Sequence, residues 1–197
     1  ELNYKLNNIS KGDDRYNIYN YKIEGDLFGD KINTGTDTDD TSEDVVYGGE
    51  GVDTITGNFD KAVIFGDIVG GSNVEEDWID YSGSTSGITA DLAQTSLYTL
   101  DSANDALDGN YVQVINNDTP TEFDLISQIE NILGTAQVDT LGGNSGDNSI
   151  LAGDGDDTII HSAAVSSDYI DGQDGSDWLS LENYAVNIDL NSGSNGI

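Results

Sequence analysis

The chain of 197 residues contains no cysteine and no methionine, and it has a single proline and a single histidine. Without cysteine, no disulfide can hold the fold together and no thiol nucleophile is present. Only 6 lysine and arginine residues oppose 38 aspartate and glutamate residues, which gives a formal net charge of −32. Nucleic-acid phosphates and anionic membrane surfaces repel so acidic a chain, so we expect cations as its partners and no nucleic acid.

Long apolar runs are also missing. No stretch approaches the roughly 20 residues of a membrane-spanning helix, so we expect no membrane insertion. The start of the chain, Glu-Leu-Asn-Tyr, lacks the basic and apolar regions of a signal peptide. Together with the missing initiator methionine, this indicates a segment of a longer protein. The sequence contains neither a His-Glu-x-x-His zinc motif nor a Gly-x-Ser-x-Gly elbow, and we expect no enzyme activity in it.

A short repeat is what the sequence does contain. Its unit is a glycine-rich turn followed by Asp or Asn, any residue, and an apolar residue. The cleanest copy is Gly-Gly-Glu-Gly-Val-Asp-Thr-Ile-Thr at 48–56. In the second half the triplets begin, nine residues apart with one step of 11, at Asp139, Asn148, Asp157, Asp168 and Asp177. In the first half they begin at Asp30, Asp44, Asp53 and Asp77. An isolated Gly/Asp-rich stretch would be typical of a flexible loop, but a shared register over many copies is not.

This pattern resembles the RTX (hemolysin-type) calcium-binding nonapeptide Gly-Gly-x-Gly-x-Asp-x-U-x, where U is a large aliphatic residue. The resemblance covers roughly residues 25–81 and 134–182. It implies an all-β fold, a calcium-stapled right-handed parallel β-roll in which successive nonamers lie on opposite sides and every second turn stacks on the same edge. Asp139, Asp157 and Asp177 would then share one edge, and Asn148 and Asp168 the other.

The resemblance also implies the ligands. A glycine-rich turn exposes carbonyl oxygens, and the aspartate that ends it adds a carboxylate; Ca²⁺ prefers six to eight such oxygens. The candidate ligands in the first block are Asp30, Asp44, Gly48, Glu50, Asp53 and Asp77. Those in the second are Gly134, Ala136, Asp139, Gly143, Ser145, Asn148, Ala152, Asp154, Asp157, Asp168, Gly172, Asp174 and Asp177. The nonamer at 57–65 has Ala62 in place of the aspartate, which puts its site in doubt.

An EF-hand is the other calcium motif to consider. Its loop needs Gly at position 6 and Glu at position 12. A loop starting at Asp37 has Ser42 and Gly48 at those positions, and one starting at Asp154 has Ile159 at position 6. The sequence therefore contains no EF-hand at either place.

The nonamers divide the chain into five segments. We expect an edge strand or cap at 1–24, a first RTX block at 25–82 and a second block at 129–182. The segment 83–128 between them is an insertion that packs over an end of the roll, and 183–197 starts a further module. Within and just after the insertion, alternation predicts strands at 87–93 and 111–115, and we expect a short helix over 122–133. Trp78 and Trp178 each end a block, where a large side chain would cover the open end of a roll.

Three functions remain open for such a segment. The first is a structural, calcium-folded module of a large bacterial protein exported by type I secretion, extracellular or on the cell surface, such as an S-layer protein or adhesin. The second is the accessory roll of a secreted protease, lipase or polysaccharide epimerase with its catalytic domain elsewhere. The third is binding of a glycan or peptide by the insertion. Several Ca²⁺ ions are the expected cofactors, and other copies of the chain or cell-surface glycan are open as further partners.

Overall fold

The structure, a computed structural model, describes residues 22–24, 31–34, 45–67, 76–98, 109–161 and 166–181. These residues form an all-β solenoid of about five turns built from two facing sheets, with no helix among them. None of them belongs to a helix that could cross a membrane. The prediction of an all-β parallel roll is confirmed.

Successive strands of the repeats alternate between the two sheets. Sheet A, in spatial order, consists of β1 (Lys22–Glu24), β3 (Val45–Gly49), β5 (Val63–Asp67), β10 (Phe123–Ser127), β9 (Gly109–Asn116), β7 (Ile88–Asp91), β12 (Thr140–Gly142), β14 (Thr158–Ile160) and β16 (Trp178–Ser180), and β8 (Thr95–Tyr98) pairs with β9. Sheet B consists of β15 (Tyr169–Asp171), β13 (Ser149–Leu151), β11 (Asn131–Leu133), β6 (Trp78–Asp80), β4 (Thr54–Thr56) and β2 (Lys31–Asn33). All pairs are parallel except those of β9 with β7, β8 and β10.

The core lies between the sheets and is filled by the apolar residue of each repeat. Because side chains alternate across a strand, the middle residue of a three-residue strand points to one face and its two neighbours to the other. The middle residues stack in register, as in the pairs Leu141–Ile159 of sheet A and Ile132–Ile150 of sheet B. These four side chains are at most 2% exposed. The aliphatic position of the nonamer therefore builds the interior of the roll.

The insertion enters sheet A and does not cap the roll. After β6 the chain runs through β7, β8, β9 and β10 before it returns to sheet B at β11. In sheet A the strands β10, β9 and β7 separate β5 from β12, whereas in sheet B β6 and β11 are direct neighbours. The predicted strands at 87–93 and 111–115 are confirmed as β7 and β9. Both sheets thus continue from the first block into the second.

Two expectations about this region are wrong. The segment 122–133 forms β10 and β11 and no helix, because Gln128 at a φ of 56° turns the chain from sheet A to sheet B. Trp78 does not cover an open end either, since β6 is flanked by β4 and β11. Trp178 does lie on the last described strand of sheet A, with 69% of its surface exposed.

The interior packing predicts unequal effects at equivalent repeat positions. Leu141 is fully buried, and Leu179, two strands further along the same sheet, is 43% exposed. We expect Leu141→Ala to lower the free energy of unfolding by about 2–5 kcal/mol. Leu179→Ala, the matched control, should lower it by less than half as much. Urea denaturation at saturating calcium measures both, and equal losses would contradict the described packing.

Candidate metal centre

Carboxylates stack along one edge of the roll, in the turns that lead into the strands of sheet A. The backbone N–H of Ile88 donates to Oδ1 of Asp139 at 2.6 Å, and that of Asp139 donates to Oδ1 of Asp157 at 2.8 Å. The N–H of Asp157 in turn donates to Oδ1 of Asp177 at 3.1 Å. We call this series the sheet A ladder. It brings together the three aspartates that the nonamer register placed on one edge.

The opposite edge carries a second series, the sheet B ladder. The N–H of Asp53 donates to Oδ1 of Asp77 at 2.8 Å, and the N–H of Asp77 donates to Oε2 of Glu130 at 3.0 Å. Further along, the N–H of Asn148 donates to Oδ1 of Asp168 at 3.0 Å. The pairing of Asn148 with Asp168 agrees with the edge that the repeat assigns to them, and Asp53 and Asp77 are candidate ligands that share this edge. The ladder also joins the two blocks, because Glu130 of the second block follows Asp77 of the first in the same stack.

Glycines allow the turns of sheet A to stack closely. Gly153 and Gly155 have φ values of 112° and 136°, which glycine adopts readily and other residues rarely. A Cβ on Gly153 would collide with the carbonyl oxygen of Thr135, and one on Gly155 would lie 2.6 Å from that of Gln137. Carbonyl oxygens of the turn at 134–139 therefore face the backbone of the next turn. Carbonyl oxygens beside a carboxylate are a ligand set that suits Ca²⁺.

Asp157 is the most informative of the candidate ligands. Its side chain is 1% exposed, and while Oδ1 accepts the N–H of Asp139, the buried Oδ2 has no hydrogen-bond partner. Burial first, and then the nearby carboxylates of Asp139, Asp177 and Asp156, raise the pKa of Asp157 to about 6 against the effect of that hydrogen bond. A buried carboxylate oxygen without a partner costs free energy that a bound cation would offset. The residues around Asp157 therefore fit a metal ion.

Other candidates already have partners within the protein. Asp139 accepts the N–H of Thr135 at 2.7 Å on Oδ2 and its hydroxyl at 3.0 Å on Oδ1. The amide of Asn148 accepts the N–H of Asn144 at 2.8 Å. Asp168, preceded by the 11-residue step, accepts from the Ser166 hydroxyl at 3.1 Å and lies 2.8 Å from Nδ1 of His161. An ion at these positions would compete with existing hydrogen bonds.

The remaining candidates would offer a metal ion their backbone carbonyl oxygens. The side chains of Glu50, Asp154 and Asp174 are exposed, which agrees with turn positions expected to offer carbonyl oxygens. The other candidates of this kind, Gly48, Gly134, Ala136, Gly143, Ser145, Ala152 and Gly172, lie on or beside the same turns. Among the described residues no three His, Cys, Asp or Glu side chains gather into a metal-ligand cluster, so an ion would draw on carbonyls. Asp30 and Asp44 lie outside the described residues.

Two acidic residues belong to the ladders although the sequence did not single them out. Glu130 is paired in register with Asp77, and burial together with the carboxylates of Asp77 and Asp67 raises its pKa to about 7. Asp124 is paired in register with Ala62 and is fully buried. Asp124 begins an Asp-Leu-Ile triplet that fits the apolar pattern of the repeat without its glycines. That triplet is the sequence signal for Asp124. The signal for Glu130 is an Ile-Glu pair that occurs at 23–24 and again at 129–130.

Comparison of the chain with protein-family models gave no match, and neither did a search of curated proteins. The resemblance to the RTX family therefore rests on the sequence pattern of the repeat alone.

The raised pKa values of Asp157 and Glu130 predict a pH dependence of the calcium-free fold. A carboxyl group whose pKa is higher in the folded state than its ordinary value, 3.8 for Asp and 4.5 for Glu, binds protons more tightly when folded. This stabilisation is complete below the ordinary values and is lost as the pH rises through about 6 and 7. Circular dichroism in calcium-depleted buffer should show more β structure at pH 5 than at pH 8.

Two variants test whether the pH dependence comes from Asp157 and Glu130. Asp157→Asn combined with Glu130→Gln removes these two titrating groups and should reduce the change between pH 5 and 8. Asp154→Asn, which alters an exposed carboxylate, should leave the change as it is. A β signal that falls on acidification of the unmodified chain would contradict the prediction.

Proposed function

We propose that this chain is a calcium-binding module of the RTX type whose folding is driven by extracellular Ca²⁺. In this proposal it is a structural part of a large secreted bacterial surface protein, of the S-layer or adhesin kind. The supporting observation is Asp157, a buried carboxylate with one unpartnered oxygen, in a turn whose Gly153 and Gly155 lie against the carbonyl oxygens of Thr135 and Gln137. The nine-residue register of the repeat supports the family assignment.

Charge explains why an ion would control folding. The ladders bring carboxylates of Asp139, Asp157 and Asp177 close together in a chain of net charge −32. Each short strand buries about one aliphatic side chain, as Leu141 and Ile159 do, while a whole nonamer must lose its conformational freedom. Divalent cations at the turns would remove the repulsion and bind the folded state alone, which stabilises it by mass action.

The type of oxygen favours calcium over magnesium. Ca²⁺ accepts an irregular shell of six to eight oxygens from carboxylates and carbonyls, whereas Mg²⁺ requires a strict octahedron and keeps several waters. A stacked pair of turns such as 134–139 and 152–157 offers carbonyls from flexible backbone. Modules that bind Ca²⁺ weakly respond at the millimolar concentrations found outside cells. A chain of this kind would stay unfolded during export and fold after it.

Calcium-driven folding has a direct test. In chelator the far-ultraviolet circular dichroism spectrum should be mostly that of a coil, and addition of Ca²⁺ should produce the β spectrum. Magnesium at the same concentration is the control and should give little change. A full β spectrum in chelator would contradict the proposal, and equal folding by both ions would indicate charge screening in place of specific sites.

The sheet A ladder predicts which aspartate matters most. Asp157 lies between the turns of Asp139 and Asp177: its carboxylate accepts the N–H of Asp139, and its own N–H donates to Asp177. In this proposal it therefore contributes to an ion on each side. Asp157→Asn keeps an oxygen for the Asp139 N–H, removes the charge and replaces the unpartnered oxygen by an amide NH2 that cannot bind a cation. Because charged interactions contribute about 1.5–3 kcal/mol, we expect the calcium midpoint of folding to rise about tenfold or more.

Two matched variants serve as controls in the same titration. Asp177→Asn, at the end of the ladder, keeps an oxygen for the Asp157 N–H and should raise the calcium midpoint less than Asp157→Asn does. Asp154→Asn lies in the same turn as Asp157 with an exposed side chain and should change the midpoint less than twofold. If Asp154→Asn matched Asp157→Asn, the assigned register of the ligands would be wrong.

A further inference from the structure

The turn at 57–62 occupies a ladder position but lacks the aspartate of the repeat. Ala62 stands at that place and is fully buried. The partner in register, Asp124 of the insertion, supplies the carboxylate instead. The N–H of Ala62 donates to its Oδ1 at 3.1 Å, as the N–H of Asp139 donates to Asp157 elsewhere on the same sheet.

The other oxygen of Asp124 organises the rest of this turn. Oδ2 accepts the N–H of Asn58 at 3.1 Å, the N–H of Phe59 at 2.9 Å and the hydroxyl of Tyr81 at 2.7 Å. Both oxygens of this carboxylate are thus hydrogen-bonded, with three donors on Oδ2 and one on Oδ1. Asp124 therefore differs from Asp157, whose Oδ2 is buried with no partner.

Tyr81 fills the space inside the turn. Its side chain is 1% exposed, and its ring stacks on that of Phe59 with centroids 4.9 Å apart. A Cβ on Gly57 would collide with the phenol ring and hydroxyl of Tyr81. Phe59 and Lys61 adopt φ values of 66° and 65°, which are uncommon for residues other than glycine. The hydrogen bonds to Asp124 hold this strained backbone in place.

We propose that Asp124 and Tyr81 form an ion-independent staple for the turn at 57–62, so that this part of the roll stays folded when calcium is removed. The surrounding core comes from the insertion and its neighbours and includes Val112, Val114 and Ile126. The hairpin of β9 and β10 is local in sequence and forms without an ion. The stapled region is the surface on which the calcium-dependent turns assemble.

Hydrogen–deuterium exchange of the full chain, read peptide by peptide, tests the staple. In chelator, peptides from 57–65 and 111–127 should exchange at least about tenfold more slowly than peptides from 134–160. Calcium should slow the exchange of 134–160 strongly and that of 57–65 little. Where 134–160 exchanges fast in chelator, equally fast exchange of 57–65 would overturn the inference.

Variants assign the protection to the two side chains. Asp124→Asn turns an acceptor into a donor and should raise exchange at 57–62 in chelator about tenfold. Tyr81→Phe removes only the hydroxyl, keeps the ring packing and should raise it several-fold. Asp157→Asn is the control and should leave 57–65 unchanged. If neither Asp124→Asn nor Tyr81→Phe altered the exchange of 57–62, the staple would be wrong.

The contrast between the stapled turn at 57–62 and the turns at 134–160 rests on the proposed function. The staple and calcium-driven folding can nevertheless fail separately. Protection of 134–160 that is equal in chelator and in calcium would contradict calcium-driven folding. In that case the Asp124→Asn and Tyr81→Phe results at 57–62 still decide whether the staple exists.

Discussion

The roll depends on one interaction, the hydrogen bond from a backbone N–H at the start of a strand to the carboxylate at the same position of the next strand in the sheet. Strands of three residues offer too few backbone bonds to fix their own register. The bond from Asp139 to Asp157 fixes both the turn spacing and the strand pairing, since Thr140 is aligned with Thr158. The bond from Asp53 to Asp77 does the same on the opposite edge. Register and turn geometry are therefore set by the same atoms.

This interaction places acidic groups where their charge is least tolerated. A buried carboxylate needs compensation, and stacking one above another adds repulsion. The molecule contains different responses to this constraint. Asp157 keeps its charge and an unpartnered oxygen that suits a cation, Asn148 replaces the acid by an amide, and Asp124 is surrounded by four donors. Burial still raises the pKa of Asp124, so even these hydrogen bonds do not fully replace water.

The features that could be predicted from the sequence are those set by residues close together in the chain. The stacking of Asp139, Asp157 and Asp177 and the alternation between two sheets follow from a nine-residue period that is local in sequence. The role of Asp124 is set by its pairing with a turn more than 60 residues earlier in the chain. The nine-residue repeat does not predict a contact between residues so far apart. The helix expected over 122–133 failed because the segment is divided at Gln128 between two sheets, which local periodicity does not reveal. The continuity of the roll does not follow from the sequence, because the repeats stop after Trp78, whereas in the structure β11 pairs directly with β6.

The position of the insertion follows from the same constraint. An insertion within a parallel sheet must return the chain in the original direction at both of its borders. The antiparallel strand β9 achieves this, because its two neighbours β7 and β10 then run parallel to β12 and β5. Each border keeps its carboxylate contact, Ile88 with Asp139 on one side and Ala62 with Asp124 on the other. Among the described strands the carboxylate contacts are interrupted at β9, and the extra strands are accommodated because the contacts on which the roll depends are made at both borders.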